Sequence, residues 1–156
     1  MNLLRGLKVG PLVFAFAVGV AGWTPPPTSG PFDSFGDINC EDEMAHLDNF
    51  AVSLQNWPQA RGAIIFYGGK TFRGKLPRLG EAAARAARIQ SYLVKRRGIP
   101  ANQLIVIDGG YHKEFQVQLW IVPPGAGLPL REPTVPTQEI KFRKGKATPR
   151  EYRCEI

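Results

Sequence analysis

The stretch from Gly62 to Ile121 reads GAIIFYGGKTFRGKLPRLGEAAARAARIQSYLVKRRGIPANQLIVIDGGYHKEFQVQLWI. Its opening, Gly62-Ala63-Ile64-Ile65-Phe66-Tyr67, is a short apolar run bounded by Gly68-Gly69, the pattern of a strand covered on both faces. From Leu79 to Arg97 apolar residues recur at spacings of three and four, through Ala82 or Ala83, Ala86, Ile89 and Leu93. That spacing predicts a helix with Arg78, Glu81, Arg85 and Arg88 on its outer side. Pro77 stands near its start, and Gly98 closes it with a left-handed cap. Gln103 to Asp108 is a second buried strand, and Asp108-Gly109-Gly110 signals a turn. The run from Glu114 to Ile121 then alternates. Phe115, Val117, Leu119 and Ile121 face one way and Gln116, Gln118 and Trp120 the other, so one face of this strand is wetter.

Upstream, Phe32 to Ile38 is a weaker strand interrupted by Gly36. Asn39 then offers a helix N-cap, with Glu41, Asp42 and Glu43 in the first turn, where the helix dipole favours acids. Met44, Leu47, Phe50 or Ala51, and Leu54 form one buried stripe on a helix that ends before Pro58. The resulting order is strand, helix, strand, helix, strand, strand. Burying both stripes economically gives an α+β sandwich of the α/β class, with two helices packed on one face of a mixed sheet. Downstream, Pro123-Pro124-Gly125 opens a proline-punctuated basic tail, residues 123–156, with a possible edge strand at Glu139 to Arg143.

The first residues bear on compartment. Arg5 and Lys8 precede an uncharged apolar run from Val9 to Trp23, and Gly19-Val20-Ala21 supplies small residues suited to cleavage. A signal peptide over residues 1–21 is expected, followed by a proline-rich spacer over residues 22–31; an uncleaved anchor is the alternative reading. No cysteine follows at a lipidation position. The expected location is therefore periplasmic or secreted, with no stable membrane span after cleavage. About 130 residues would remain, enough for one core. Cys40 and Cys154 are the chain's two cysteines, and in an exported protein they are expected to pair, the alternative being two unrelated thiols. The bridge would restrict the unfolded chain by about 4–5 kcal/mol in the chain-entropy view.

The formal net charge of +7 is unevenly spread. Between Pro31 and Pro58 there are six acids and no lysine or arginine, whereas between Gln59 and Arg97 ten bases face one acid, Glu81. In an exported protein this points to an anionic glycan, a membrane surface or an acidic protein before nucleic acid. A solvated helix face partly neutralised by the acidic first helix would look the same.

The order of elements, with Arg85-Ala86 through Tyr92-Leu93 to Arg97-Gly98-Ile99-Pro100-Ala101 and then Gln103-Leu104-Ile105-Val106, resembles the OmpA-like C-terminal domain family over roughly residues 32–122. The resemblance implies noncovalent binding of peptidoglycan. In that family an aspartate after the second strand and an arginine on the following helix hold the carboxylate of a diaminopimelate stem peptide. Arg85 falls at the family arginine. The family's Gly-His-Thr-Asp is replaced by Gly68-Gly69-Lys70-Thr71, without an acid, and its asparagine and leucine-serine pair fall at Arg78, Glu81 and Ala82. The paired arginines of the last strand fall near Phe115 and Gln116. Lys70, Arg78 and Arg85 are the expected anion-binding residues, because an arginine fork takes a carboxylate bidentately. The alternative for Arg85 is an exposed helix pair with Glu81.

Other chemistry is weakly indicated. Gly69-Lys70-Thr71 imitates the end of a phosphate-binding loop, but the leading glycine is replaced by Ile64. His46 and His112 have no cysteine or carboxylate at metal-ligand spacing and are expected to be solvated, so no metal or cofactor is expected. Asp108 reads as a turn residue beside two glycines. Trp120, Tyr111 and Phe115 are either a stacking surface or core and tail cover. The function expected is non-catalytic: a cell-envelope protein binding an anionic cell-wall glycan or peptide, or alternatively an envelope protein through a fold that has lost its ligand.

Overall fold

Asn39 has extended backbone angles (φ −69°, ψ 167°), and its side-chain oxygen accepts a 2.9 Å hydrogen bond from the Asp42 amide. This starts helix α1 (Cys40–Asn56) in a computed structural model that describes residues 30–152. The expected signal peptide, nearly all of the spacer, and Cys154 lie outside the described residues. The remaining elements are strands β1 (Asp33–Phe35), β2 (Arg61–Gly69), β3 (Arg78–Leu79), helix α2 (Glu81–Lys95), β4 (Leu104–His112), β5 (Gln116–Val122) and β6 (Arg143–Lys146).

The main sheet runs β1-β5-β2-β4, with β2 and β4 parallel and β5 antiparallel to both β1 and β2. As expected, both helices lie on one face of this mixed sheet. Leu47, Phe50 and Leu54 of α1, Ile89 and Leu93 of α2, and Ile64, Val117, Leu119 and Ile121 of the sheet form one buried cluster. Each such side chain contributes roughly 1.5–3 kcal/mol by leaving water. The other face of β2 is buried as well, at Ala63, Ile65 and Tyr67. There the tail arrives: the Glu132 amide donates to the Tyr67 hydroxyl at 3.3 Å. The Thr134 and Val135 amides then both reach the Tyr111 carbonyl at 3.0 Å, on the outer edge of β4. The unbroken apolar run of β2 thus has cover on both sides.

Three expectations require correction. Pro77 to Leu79 does not begin α2: Gly80, with φ 76°, breaks the chain before Glu81, and Arg78–Leu79 pairs in parallel with β6. The tail supplies amides from Arg143 and Ala147 to the carbonyls of Pro77 and Leu79, each at 3.0 Å, so extended backbone wins locally over helix propensity. The edge strand accordingly falls at Arg143–Lys146, and Thr137–Glu139 is a 3₁₀ turn. Asp108-Gly109-Gly110 is not a chain reversal but lies within β4, at an irregularity in its register with β2. A Cβ on Gly109 would sit 2.5 Å from the Tyr67 ring, so this glycine answers a close approach.

Candidate functional site

Helix α2 presents Glu81, Arg85 and Arg88 along one side, and that side does not face water as the sequence spacing suggests. Arg85 is 5% exposed and Glu81 is also 5% exposed. The reason is α1 and the tail. The acidic start of α1 and the preceding loop lie against α2 and enclose Arg85 and Arg88 as ion pairs, while the tail covers Glu81. Arg85 Nη1 donates to Asp37 Oδ1 at 2.7 Å, and its guanidinium lies 3.9 Å from the Phe115 ring centroid and 5.2 Å from that of Phe72. Arg88 pairs with the buried Glu43, which also stands 4.0 Å from Arg85 Nη2. Burial pushes the Arg88 pKa down. Farther along, Arg97 pairs with Asp48. The acidic first segment thus neutralises much of the basic second one. Arg85 has Asp37, not Glu81, as its acid.

Glu81 stands at the N-terminal end of the helix. Its two carboxylate oxygens accept from the Arg78 amide at 2.8 Å and from the Tyr152 hydroxyl at 2.6 Å. Tyr152 belongs to a short 3₁₀ turn (Pro149–Tyr152) that brings the tail onto α2. Arg78 pairs with Glu151 of the same turn and donates to the Tyr152 hydroxyl at 3.3 Å. The result is an open depression of about 330 Å³ lined by Asp37, Arg73, Arg78, Glu81, Arg85 and Tyr152, among others. Its floor is a guanidinium on aromatic rings, a setting that favours a planar cation.

Two of the three expected anion-binding residues, Arg78 and Arg85, meet in this depression, but Lys70 is not among its lining residues. Lys70 Nζ pairs with Glu139 of the tail at 3.0 Å, and its amide donates to the His112 carbonyl. That engagement also removes the resemblance of Gly69-Lys70-Thr71 to a phosphate loop. The residue missed by the sequence reading is Asp37. It sits 48 positions from Arg85 and on a different loop from the family aspartate, so nothing local signalled the pairing.

The histidines also differ from expectation. His46 Nδ1 lies 2.6 Å from Asp33 Oδ2, and His112 stacks on Tyr67 with its Nε2 2.8 Å from the Glu132 carbonyl oxygen. Both are half-buried and partnered, because the β1 end and the tail close over them. Among the described residues no group of three metal-type donors occurs. The three aromatic residues do not form one surface: Phe115 is the platform beneath Arg85, Tyr111 packs on Phe142, and Trp120 bonds to Gln118 of its own strand.

Partial burial acts to raise the Asp37 pKa, but hydrogen bonds from Arg73 and Arg85 outweigh it and hold the carboxyl below its ordinary value. A depressed folded pKa contributes stability that is present above the unfolded value, near 3.9, and lost as pH falls through the folded one. Urea unfolding of wild type and Asp37→Asn should therefore differ most at neutral pH and converge in acid. A difference that does not depend on pH would exclude this pairing as its source.

No family model, curated protein or solved structure matches the chain.

Proposed function

We propose that this is a non-catalytic, exported envelope protein whose OmpA-like domain binds an anionic or zwitterionic cell-wall peptide in the depression around Arg85. The observation that carries the reading is Arg85 itself: a buried guanidinium on aromatic rings, beside an aspartate, at the floor of an open depression. A peptide carboxylate would engage the arginine side, with Arg78 and Arg73 at the rim. Asp37 supports a ligand bearing an amine next to that carboxylate. It would supply the acid that Gly68-Gly69-Lys70-Thr71 lacks. The reading includes the Cys40–Cys154 bridge. Cys40 lines the same depression as Glu151 and Tyr152, and Tyr152 lies two residues before Cys154. Mass spectrometry of the unreduced protein showing two thiols would remove it.

The deciding experiment is a salt titration of binding to purified insoluble peptidoglycan, run beside Arg85→Lys and an unrelated protein of equal charge. Binding should persist near physiological ionic strength and fall about ten-fold in Arg85→Lys, which keeps the charge and loses the fork. Thermal unfolding of the variant separates loss of site from loss of fold. Binding that fades with salt in step with the control would overturn the proposal.

A second reading has its own support. Lys70, Arg78 and Arg85 are each already paired with a carboxylate of this chain, Glu139, Glu151 and Asp37. A domain with its cations satisfied internally suits a protein-interaction module. A stoichiometric partner, captured from envelope extract without cell wall present, would favour it.

A further inference from the structure

The strongest unassigned surface is the small sheet formed by β3 and β6. All four residues of β6, Arg143-Lys144-Gly145-Lys146, are exposed. Lys75, Lys141 and Arg150 beside it are exposed too. Among the described residues none of Lys75, Lys141, Arg143, Lys144, Lys146 and Arg150 takes part in an ion pair. This contrasts with the arginines of α2, which have their acids. Large apolar side chains stand among these cations: Leu79 is 55% exposed, Leu76 43% and Phe142 38%. The ladder places them together. Leu79 pairs with Lys146 and Arg78 with Arg143, and Leu76 and Phe142 are next to the bonded residues Pro77 and Arg143.

We infer that this sheet is a docking surface for an anionic lipid bilayer, adjoining the depression around Arg85, which Arg78 and Arg143 also line. Lysine and arginine heads attract the phosphates of an acidic leaflet, and each such residue near the surface adds to the attraction. Exposed leucine side chains enter the boundary between headgroups and acyl chains. A soluble polyanion satisfies the cations but leaves Leu76 and Leu79 in water; a bilayer takes both. The small sheet is held to the domain by the Arg78, Glu81, Glu151 and Tyr152 contacts, so the surface is presented on a fixed platform.

The test is flotation of the full chain with vesicles of phosphatidylcholine alone and of phosphatidylcholine with phosphatidylglycerol. Residues 1–23 are shared by every variant, so comparison between variants cancels their contribution. Wild type should float preferentially with the acidic vesicles. Lys144→Ser with Lys146→Ser should weaken that preference about 25-fold, at about five-fold per cation. Leu76→Ser with Leu79→Ser should weaken binding to the acidic vesicles several-fold, including at salt high enough to screen the cations. All four positions are exposed, and urea midpoints near wild type will show that the fold is kept. A lysine variant that floats with the acidic vesicles as wild type does would overturn the inference. Equal capture on dextran sulfate beads, with the leucine variant unaffected on beads and vesicles alike, would instead assign the surface to a polyanionic chain and overturn the bilayer.

Discussion

Arg85→Met is expected to destabilise the domain by about 2–3 kcal/mol, measured as the change in urea unfolding free energy. Breaking an enclosed ion pair typically costs about 3–5 kcal/mol, because the remaining partner is left charged without compensation. Here the figure is reduced, since the Asp37 side chain is 25% exposed and water can partly solvate it. Glu43 is more enclosed, yet it keeps Arg88. The methionine replaces the aliphatic stem and refills part of the volume above Phe115, so the loss reports on charge more than on packing. A double-mutant cycle isolates the pair: Asp37→Asn should cost less in the Arg85→Met background than in wild type. Equal costs in the two backgrounds would mean that Asp37 and Arg85 do not depend on each other, and the acid–arginine reading of the depression would fall with them.

That pairing also marks where the sequence stops being readable. The Asn39 cap, the α1 stripe, the apolar run of β2, the Gly98 cap at φ 70° and the alternation of β5 are local patterns, each read within a few residues and each found in place. The faces of α2 depart from the sequence expectation because periodicity sorts residues by polarity, not by exposure. Glu81, Arg85 and Arg88 are polar and enclosed at once, and only the position of α1 and of the tail decides that. For the same reason the sequence ties the tail to the domain only through the expected Cys40–Cys154 bridge, and its edge strand is expected a few residues early. Its course is set by contacts across the chain: Glu132 to Tyr67, Glu139 to Lys70, Glu151 to Arg78. Asp37 belonged to the acidic segment in sequence and to the basic site in space. Its role followed from where β1 ends, which no spacing rule conveys.

Gly69→Ala is the second substitution with a large expected effect, about 2–4 kcal/mol of lost stability. The argument is steric and does not rest on the backbone angle. A Cβ at this position would lie 2.4 Å from the Thr71 carbonyl oxygen, 2.8 Å from the Phe115 amide nitrogen and 3.2 Å from the Glu114 carbonyl carbon. All three are backbone atoms, so no rotamer change relieves the clash. At Gly62 the neighbours of an added Cβ, from Leu54, Phe50 and Leu104, are instead side-chain atoms that repacking can shift. Gly127→Ala, with nothing within 4 Å, is the control and should stay near wild type. Relief at Gly69 requires the segment leading into β5 to move away from the end of β2. Phe115 is in that segment and is the platform under the Arg85 guanidinium, so its displacement loosens the floor of the depression. Under the proposed function, Gly69→Ala should therefore also weaken binding to peptidoglycan under conditions where the variant is still folded, although residue 69 has no side chain to offer a ligand. A variant as stable as wild type would show that the backbone here opens freely. A destabilised variant with undiminished binding would show that the Phe115 platform is not what positions Arg85.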